Sequence, residues 1–73
     1  MMRYAVIVEK GRDCYGAYVP DLPGCAVVAE SEKQVLALIK EAMDLYLADL
    51  EAKGLAVPAP ASHVTEIEVA ASR

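Results

Sequence analysis

Two cysteines and one histidine are the first residues of this chain whose chemistry could hold a metal or form a covalent bond. Cys14, Cys25 and His63 lie on three separate segments, whereas a structural zinc site takes four ligands at short spacings. If two strands pair around a turn centred on Leu22, Cys25 faces Val19 and Cys14 lies roughly 16 Å further along, beyond the reach of a disulfide. We therefore expect two free thiols that fill buried or half-buried space, with no metal and no cofactor.

The single histidine and a pair of glutamates could also act as acid–base or metal-binding groups. His63 would need a nucleophile or a second base beside it, but its neighbour Ser62 points to the opposite face if this segment is a strand. Glu66 and Glu68 share one face of the same segment, although a two-metal nuclease site needs further converging acids. The pattern favours a solvated strand face and predicts no enzyme. A degenerate nuclease that uses Glu66 and Glu68 with a divalent metal remains the alternative.

Three short segments rich in β-branched and apolar residues predict the sheet that would position these groups. They cover residues 3–9, 14–19 and 25–29. Because the links between them are short, consecutive strands should pair antiparallel. Tyr15 and Tyr18 then lie on opposite faces of the second strand. Since tyrosine is enriched at protein interfaces, we expect one of the two to contact a partner.

The run Val19-Pro20-Asp21-Leu22-Pro23-Gly24-Cys25 joins the second and third segments. Its prolines fix φ and lack an N–H, and its glycine can adopt a positive φ without steric cost. The run therefore predicts a stiff turn. A stiff turn presents a fixed surface, so we expect Asp21, Leu22 and Pro23 to contact a partner together with the tyrosines.

The spacing of apolar residues predicts a helix over residues 32–53. Ser31 with Gln34 three residues later matches a capping box, and Gly54 matches a C-terminal stop. The apolar arc spans roughly 200°, about twice the width needed to cover one sheet. We expect the flank that carries Leu38 and Leu45 to be left over as an oligomer or partner surface.

The segment after the helix predicts a connector and one more strand. Alternate prolines keep residues 55–62 extended. Residues 63–69 alternate between apolar and polar side chains, which is typical of a strand with one wet face. The predicted fold is α+β, in the order β-β-β-α-β: a small, mostly antiparallel sheet with one helix on one face and the last strand beside the first.

Length, charge and composition limit the classes of function. Seventy-three residues make one domain, spanning residues 1–73, and 56% of them are hydrophobic, a high share for so small a core. This excess favours burial in a homo-oligomer, a dimer or a tetramer, or against another protein. The net charge is −4 and the seven basic residues are scattered, which predicts no direct nucleic-acid binding. We see no signal peptide and no membrane-spanning run, and expect a cytoplasmic protein.

The turn, the strand before it and the helix resemble those of the HicB antitoxin domain. The resemblance covers about residues 3–69 and is fairly specific for the proline-rich turn in this context. It rests on Tyr15-Gly16-Ala17-Tyr18, the run of residues 19–25, Glu41-Ala42, Tyr46-Leu47, Leu50, Gly54 and Val57-Pro58-Ala59-Pro60.

The resemblance implies a partial ribonuclease-H-like fold and an antitoxin that covers the active site of a HicA-type toxin, a small basic ribonuclease that cleaves messenger RNA. Many members carry a C-terminal DNA-binding segment after this domain. The sequence up to Arg73 contains none, so we expect this chain not to bind operator DNA itself. An orphan oligomeric module, with no toxin, is a further alternative.

Overall fold

The computed structural model describes residues 2–71, which form a three-stranded antiparallel sheet followed by one helix. The strands are β1 (Ile7–Lys10), β2 (Tyr15–Tyr18) and β3 (Ala26–Ala29), in the spatial order β1-β2-β3. The helix α1 spans Glu32–Ala52. The predicted α+β class and the order β-β-β-α are confirmed.

β1 is shorter at its start than the predicted strand over residues 3–9. It begins at Ile7, which pairs with Tyr18, and it continues to Lys10 opposite Tyr15. Continuing this register would place residue 5 opposite Pro20, which has no N–H to donate and which begins the turn. The hydrogen-bond ladder between β1 and β2 therefore ends where the segment after β2 turns away from β1.

The proline-rich turn consists of two consecutive β-turns that share Leu22. The N–H of Leu22 donates to the carbonyl of Val19 at 3.1 Å, and the N–H of Cys25 donates to the carbonyl of Leu22 at 3.0 Å. Gly24 adopts φ of 82°, as a type II turn with proline before the glycine requires. Val19 pairs with Cys25 at 3.1 Å, so the predicted centre of the turn is confirmed.

Both predicted caps of the helix are confirmed, and the helix ends at Ala52, one residue before the predicted end. The Ser31 hydroxyl accepts a hydrogen bond from the Gln34 N–H at 3.1 Å, which is the N-cap interaction of a capping box. At the other end Gly54 has φ of 69°. The Leu55 N–H donates to the Leu50 carbonyl at 2.9 Å, a bond typical of a Schellman motif.

The hydrophobic core lies between the sheet and the helix. Its buried residues come from β2, the turn and the helix: Ala17, Val19, Leu22, Cys25, Val35 and Ile39. α1 packs closely on β3 and β2 but not to a comparable extent on β1. The β1 side of the sheet is therefore less covered by the helix layer than the β3 side.

The predicted fourth strand is not formed. Residues 55–71 contain no strand, and residues 59–71 are exposed throughout. Val64, Ile67 and Val69 are 70%, 79% and 79% exposed. The alternating pattern indicates that this segment could form a half-buried strand. It does not indicate which other strand the segment would pair with.

Candidate protein-binding surface

The face of the sheet turned away from the helix is apolar and carries no covering layer in the described part of the chain. The strand register places Glu9 and five uncharged residues on it, and we call these five the outer face: Ile7, Gly16, Tyr18, Ala26 and Val28. The side chain of Val28 is 67% exposed and that of Tyr18 is 41% exposed. An apolar face of this kind is typical of a protein-contact site.

Acidic residues border the outer face at one end. Glu9 pairs with Gly16 in the sheet, and Glu30 directly follows β3; both are exposed. An apolar centre with a charged rim is the usual anatomy of a protein interface. The negative sign of this rim favours a partner with positive charge.

The two tyrosines of β2 lie on opposite faces, as predicted. Tyr15 is half-buried and packs against the core, whereas Tyr18 is exposed on the outer face. Tyr18 is thus the tyrosine available to a partner. Val28 was not among the predicted contact residues, although the apolar residues at alternate positions of β3 were a signal that could have found it.

The predicted contact residues of the turn have three different environments. Leu22 is 0% exposed, because it is the residue shared by the two β-turns and its side chain enters the core. Pro23 is exposed. Asp21 is half-buried and is engaged within the chain, as described next. Leu22 is therefore not available to a partner in this conformation.

The Asp21 carboxylate anchors the connector that follows the helix. It accepts hydrogen bonds from the backbone N–H groups of Ser62 and Ala61, each at 2.9 Å, and from the Ser62 hydroxyl at 2.8 Å. The Ser62 N–H, then the Ala61 N–H and the Ser62 hydroxyl, keep the pKa of Asp21 below its ordinary value. The Tyr4 hydroxyl donates to the Pro58 carbonyl nearby. The connector is thus fixed at the end of the sheet where β1 begins.

The predicted helix flank is exposed. Leu38 is 40% exposed and Leu45 is 67% exposed. Leu38 also lines an open groove where the helix meets the end of β3, together with Ala29, Glu30, Gln34 and Ala37. This flank is a second apolar surface, formed by the helix rather than by the sheet.

The candidate reactive residues do not converge. Cys25 is buried, and burial raises the pKa of its thiol. Cys14 is exposed, so the prediction that both cysteines fill buried or half-buried space was wrong for Cys14, which lies in the loop before β2. Glu66 and Glu68 lie on the exposed segment after the connector. Within residues 2–71, no cluster of three or more histidine, cysteine or acidic side chains could hold a metal ion.

Within residues 2–71, no helix is both long enough and apolar enough to cross a membrane.

Comparisons with known proteins give a consistent assignment. A family model described as the HicB-like antitoxin of bacterial toxin–antitoxin systems matches residues 4–72. A UPF0150 protein of Helicobacter pylori is 48% identical over 50 residues, which cover 68% of this chain and 69% of that protein. A UPF0150 protein of Archaeoglobus fulgidus is 43% identical over 63% of this chain and 68% of its own length. One of Thermoplasma acidophilum is 38% identical over 78% of this chain and 84% of its own length. No solved structure matches significantly.

Proposed function

We propose that this chain, which belongs to the HicB-like antitoxin family of bacterial toxin–antitoxin systems, binds a HicA-type ribonuclease and blocks its cleavage of messenger RNA. The chain and the toxin would bind each other in the cytoplasm. The chain acts as a binding protein that carries out no bond-breaking step itself.

The observation that carries this proposal is the uncovered outer face. It carries the exposed side chains of Tyr18 on the middle strand and of Val28 on the edge strand β3. The exposed acids Glu9 and Glu30 lie at one end of it. A small basic ribonuclease matches this surface in both respects, because apolar contact supplies affinity and opposite charge speeds the encounter. The net charge of −4 adds to the attraction at long range.

The chain would inhibit the toxin by covering its active site. The active site of a ribonuclease must admit a negatively charged RNA strand, so its surroundings are basic. An acidic protein seated over those surroundings excludes the RNA by volume and by charge. The antitoxin needs no catalytic group for this, and the scattered positions of its own cysteines, histidine and acids agree with such a role.

The test is a cleavage assay with a purified HicA-type toxin and a messenger RNA substrate. We expect the full chain to abolish cleavage at a stoichiometric ratio. The variant Val28→Arg places a positive charge on the outer face and should relieve inhibition. Leu45→Arg is the matched control, because Leu45 and Val28 are equally exposed at 67% and Leu45 lies on the helix rather than on the sheet.

The other outcomes separate the alternative functions. Full cleavage in the presence of excess chain would contradict the proposal and favour an oligomeric module with no toxin. Relief of inhibition by Leu45→Arg alone would move the contact to the helix flank with Leu38. Magnesium-dependent RNA cleavage by the chain itself, lost in Glu66→Gln, would favour the nuclease alternative.

A further inference from the structure

Residues 63–69, which we call the arm, have the pattern of a strand but have no strand beside them in the described chain. Ile67 and Val69 lie on one face of the arm, while Glu66 and Glu68 lie on the other. Ile67 and Val69 are each 79% exposed. A lone extended segment of this kind gains neither ladder hydrogen bonds nor apolar burial, so its pattern points to pairing with an edge strand.

The edge of β1 matches the arm in length. β1 is an outer strand of the sheet, so one row of its backbone N–H and C=O groups has no strand partner in residues 2–71. Residues 4–10 present seven positions along this edge, of which Ile7–Lys10 are in β1. The seven residues of the arm span about 23 Å when extended, which is the same length of strand.

The helix leaves the side of the sheet at β1 partly uncovered. α1 packs on β3 and β2 rather than on β1, so the helix side of β1, with Val6 and Val8, is only half covered. An arm beside β1 would place Ile67 and Val69 on the helix side and Glu66 and Glu68 on the wet side. This division matches a sheet covered on one face.

We propose that two copies of this chain form a symmetric dimer in which the arm of each copy pairs as a fourth strand with the open edge of β1 of the other. A second copy fits because each chain offers one unpaired arm and one open edge, so one two-fold exchange satisfies both. In a single chain the arm stays away from the body: residues 59–71 are all exposed, and the molecule extends 52 Å along one axis against 27 and 19 Å.

The anchor at Asp21 sets where the arm leaves the body. Asp21 holds Ala61 and Ser62, the two residues directly before the arm, at the end of the sheet where β1 begins. The root of the arm is therefore held at this end of the sheet, while residues 63–69 beyond it are exposed. The outer face of the sheet stays open in this dimer, so dimerisation and the proposed toxin contact use different surfaces.

The experiment is sedimentation of the full chain combined with isotope-filtered nuclear Overhauser spectroscopy on a dimer mixed from labelled and unlabelled copies. We expect a dimer, with contacts from Ile67 or Val69 of one copy to Val6 or Val8 of the other. The double variant Ile67→Lys/Val69→Lys should raise the dimer dissociation constant at least about a hundredfold. It leaves the monomer fold intact, because these side chains touch no core residue.

The control is Glu66→Gln/Glu68→Gln, which alters the other face of the same arm and should dimerise at least as tightly. A monomer would overturn the proposal, whether its arm is free or paired with its own β1. A dimer whose arms show no contact with the other copy would also overturn it and would assign the interface to another surface. These measurements need no toxin, so their outcome is independent of the proposed function.

Discussion

The Asp21 carboxylate and Ser62 are joined by two hydrogen bonds, from the Ser62 N–H at 2.9 Å and from its hydroxyl at 2.8 Å, across 41 residues of sequence. The contact links the proline-rich turn to the connector after the helix. An aspartate at this point of the turn therefore serves the chain's own architecture. It positions the segment that the proposed dimer uses.

The anchor predicts a dependence of stability on pH. The pKa of Asp21 is lowered from 3.8 by the donors that face it, so its contribution to the free energy of unfolding is present above the unfolded carboxyl pKa and is lost as the pH falls through the folded one. Asp21→Asn should be less stable than the wild type near neutral pH, and this difference should shrink from about pH 5 downward. Urea unfolding at several pH values measures it.

The control for the anchor is Asp13→Asn, because Asp13 is an exposed acid in the other turn. It should show no such pH-dependent difference. Hydrogen exchange provides a second readout, since the amides of Ala61 and Ser62 should exchange faster in Asp21→Asn. Unchanged exchange at both amides would contradict the anchoring role.

A second prediction concerns the core position in the turn. Leu22→Ala should lower the free energy of unfolding by about 2–5 kcal/mol, because Leu22 is 0% exposed. Leu22→Met keeps the volume and should cost less than about 1.5 kcal/mol. Leu45→Ala, at an exposed position of the helix, should change stability by no more than about 0.5 kcal/mol. A loss of the same size in Leu45→Ala would contradict the placement of the core.

A third prediction compares two glycines. Gly24→Ala should cost about 1–2 kcal/mol of stability, since φ of 82° is unfavourable for a residue with a Cβ atom. Gly16→Ala should be neutral or slightly stabilising, because a Cβ atom there would come no closer than 3.8 Å to the Val27 carbonyl oxygen. Thermal unfolding measures both. Equal losses would mean that the turn does not need this conformation.

A fourth prediction uses ionic strength to separate the two proposed interfaces. Each copy carries a net charge of −4, so added salt should screen repulsion between copies and tighten the dimer. The complex with a basic toxin should respond in the opposite direction and weaken as salt rises. Sedimentation of the chain alone and titration with toxin, each from low to high salt, measure the two responses. The same sign for both would contradict the charge assignment.

The sequence predicted the elements whose signals are local. The caps at Ser31 and Gly54, the positive φ of Gly24 and the turn centred on Leu22 each depend on residues within one turn of chain, and all are confirmed. The placement of Tyr15 and Tyr18 on opposite faces of β2 followed from the two-residue period of a strand. These parts of the fold need only short-range geometry.

The remaining features depend on contacts between distant segments, which local patterns do not report. Residues 3–6 look like a strand but are left without a ladder, because Pro20 ends the neighbouring strand. The bonds between Asp21 and Ser62 were not foreseen, because the two residues are 41 positions apart in the sequence. The outer face became visible only when the register placed Ile7, Tyr18 and Val28 side by side.

The most direct test of the account is the affinity of a HicA-type toxin for two variants of this chain, Val28→Arg and Leu45→Arg, measured by calorimetry beside the wild type. We predict that Val28→Arg weakens binding at least about tenfold, because it places a positive charge on the proposed contact surface, opposite a basic partner, while Leu45→Arg binds as the wild type does. Wild-type affinity for Val28→Arg, or no binding by any of the three proteins, would contradict the claim that the outer face of the sheet is the antitoxin surface.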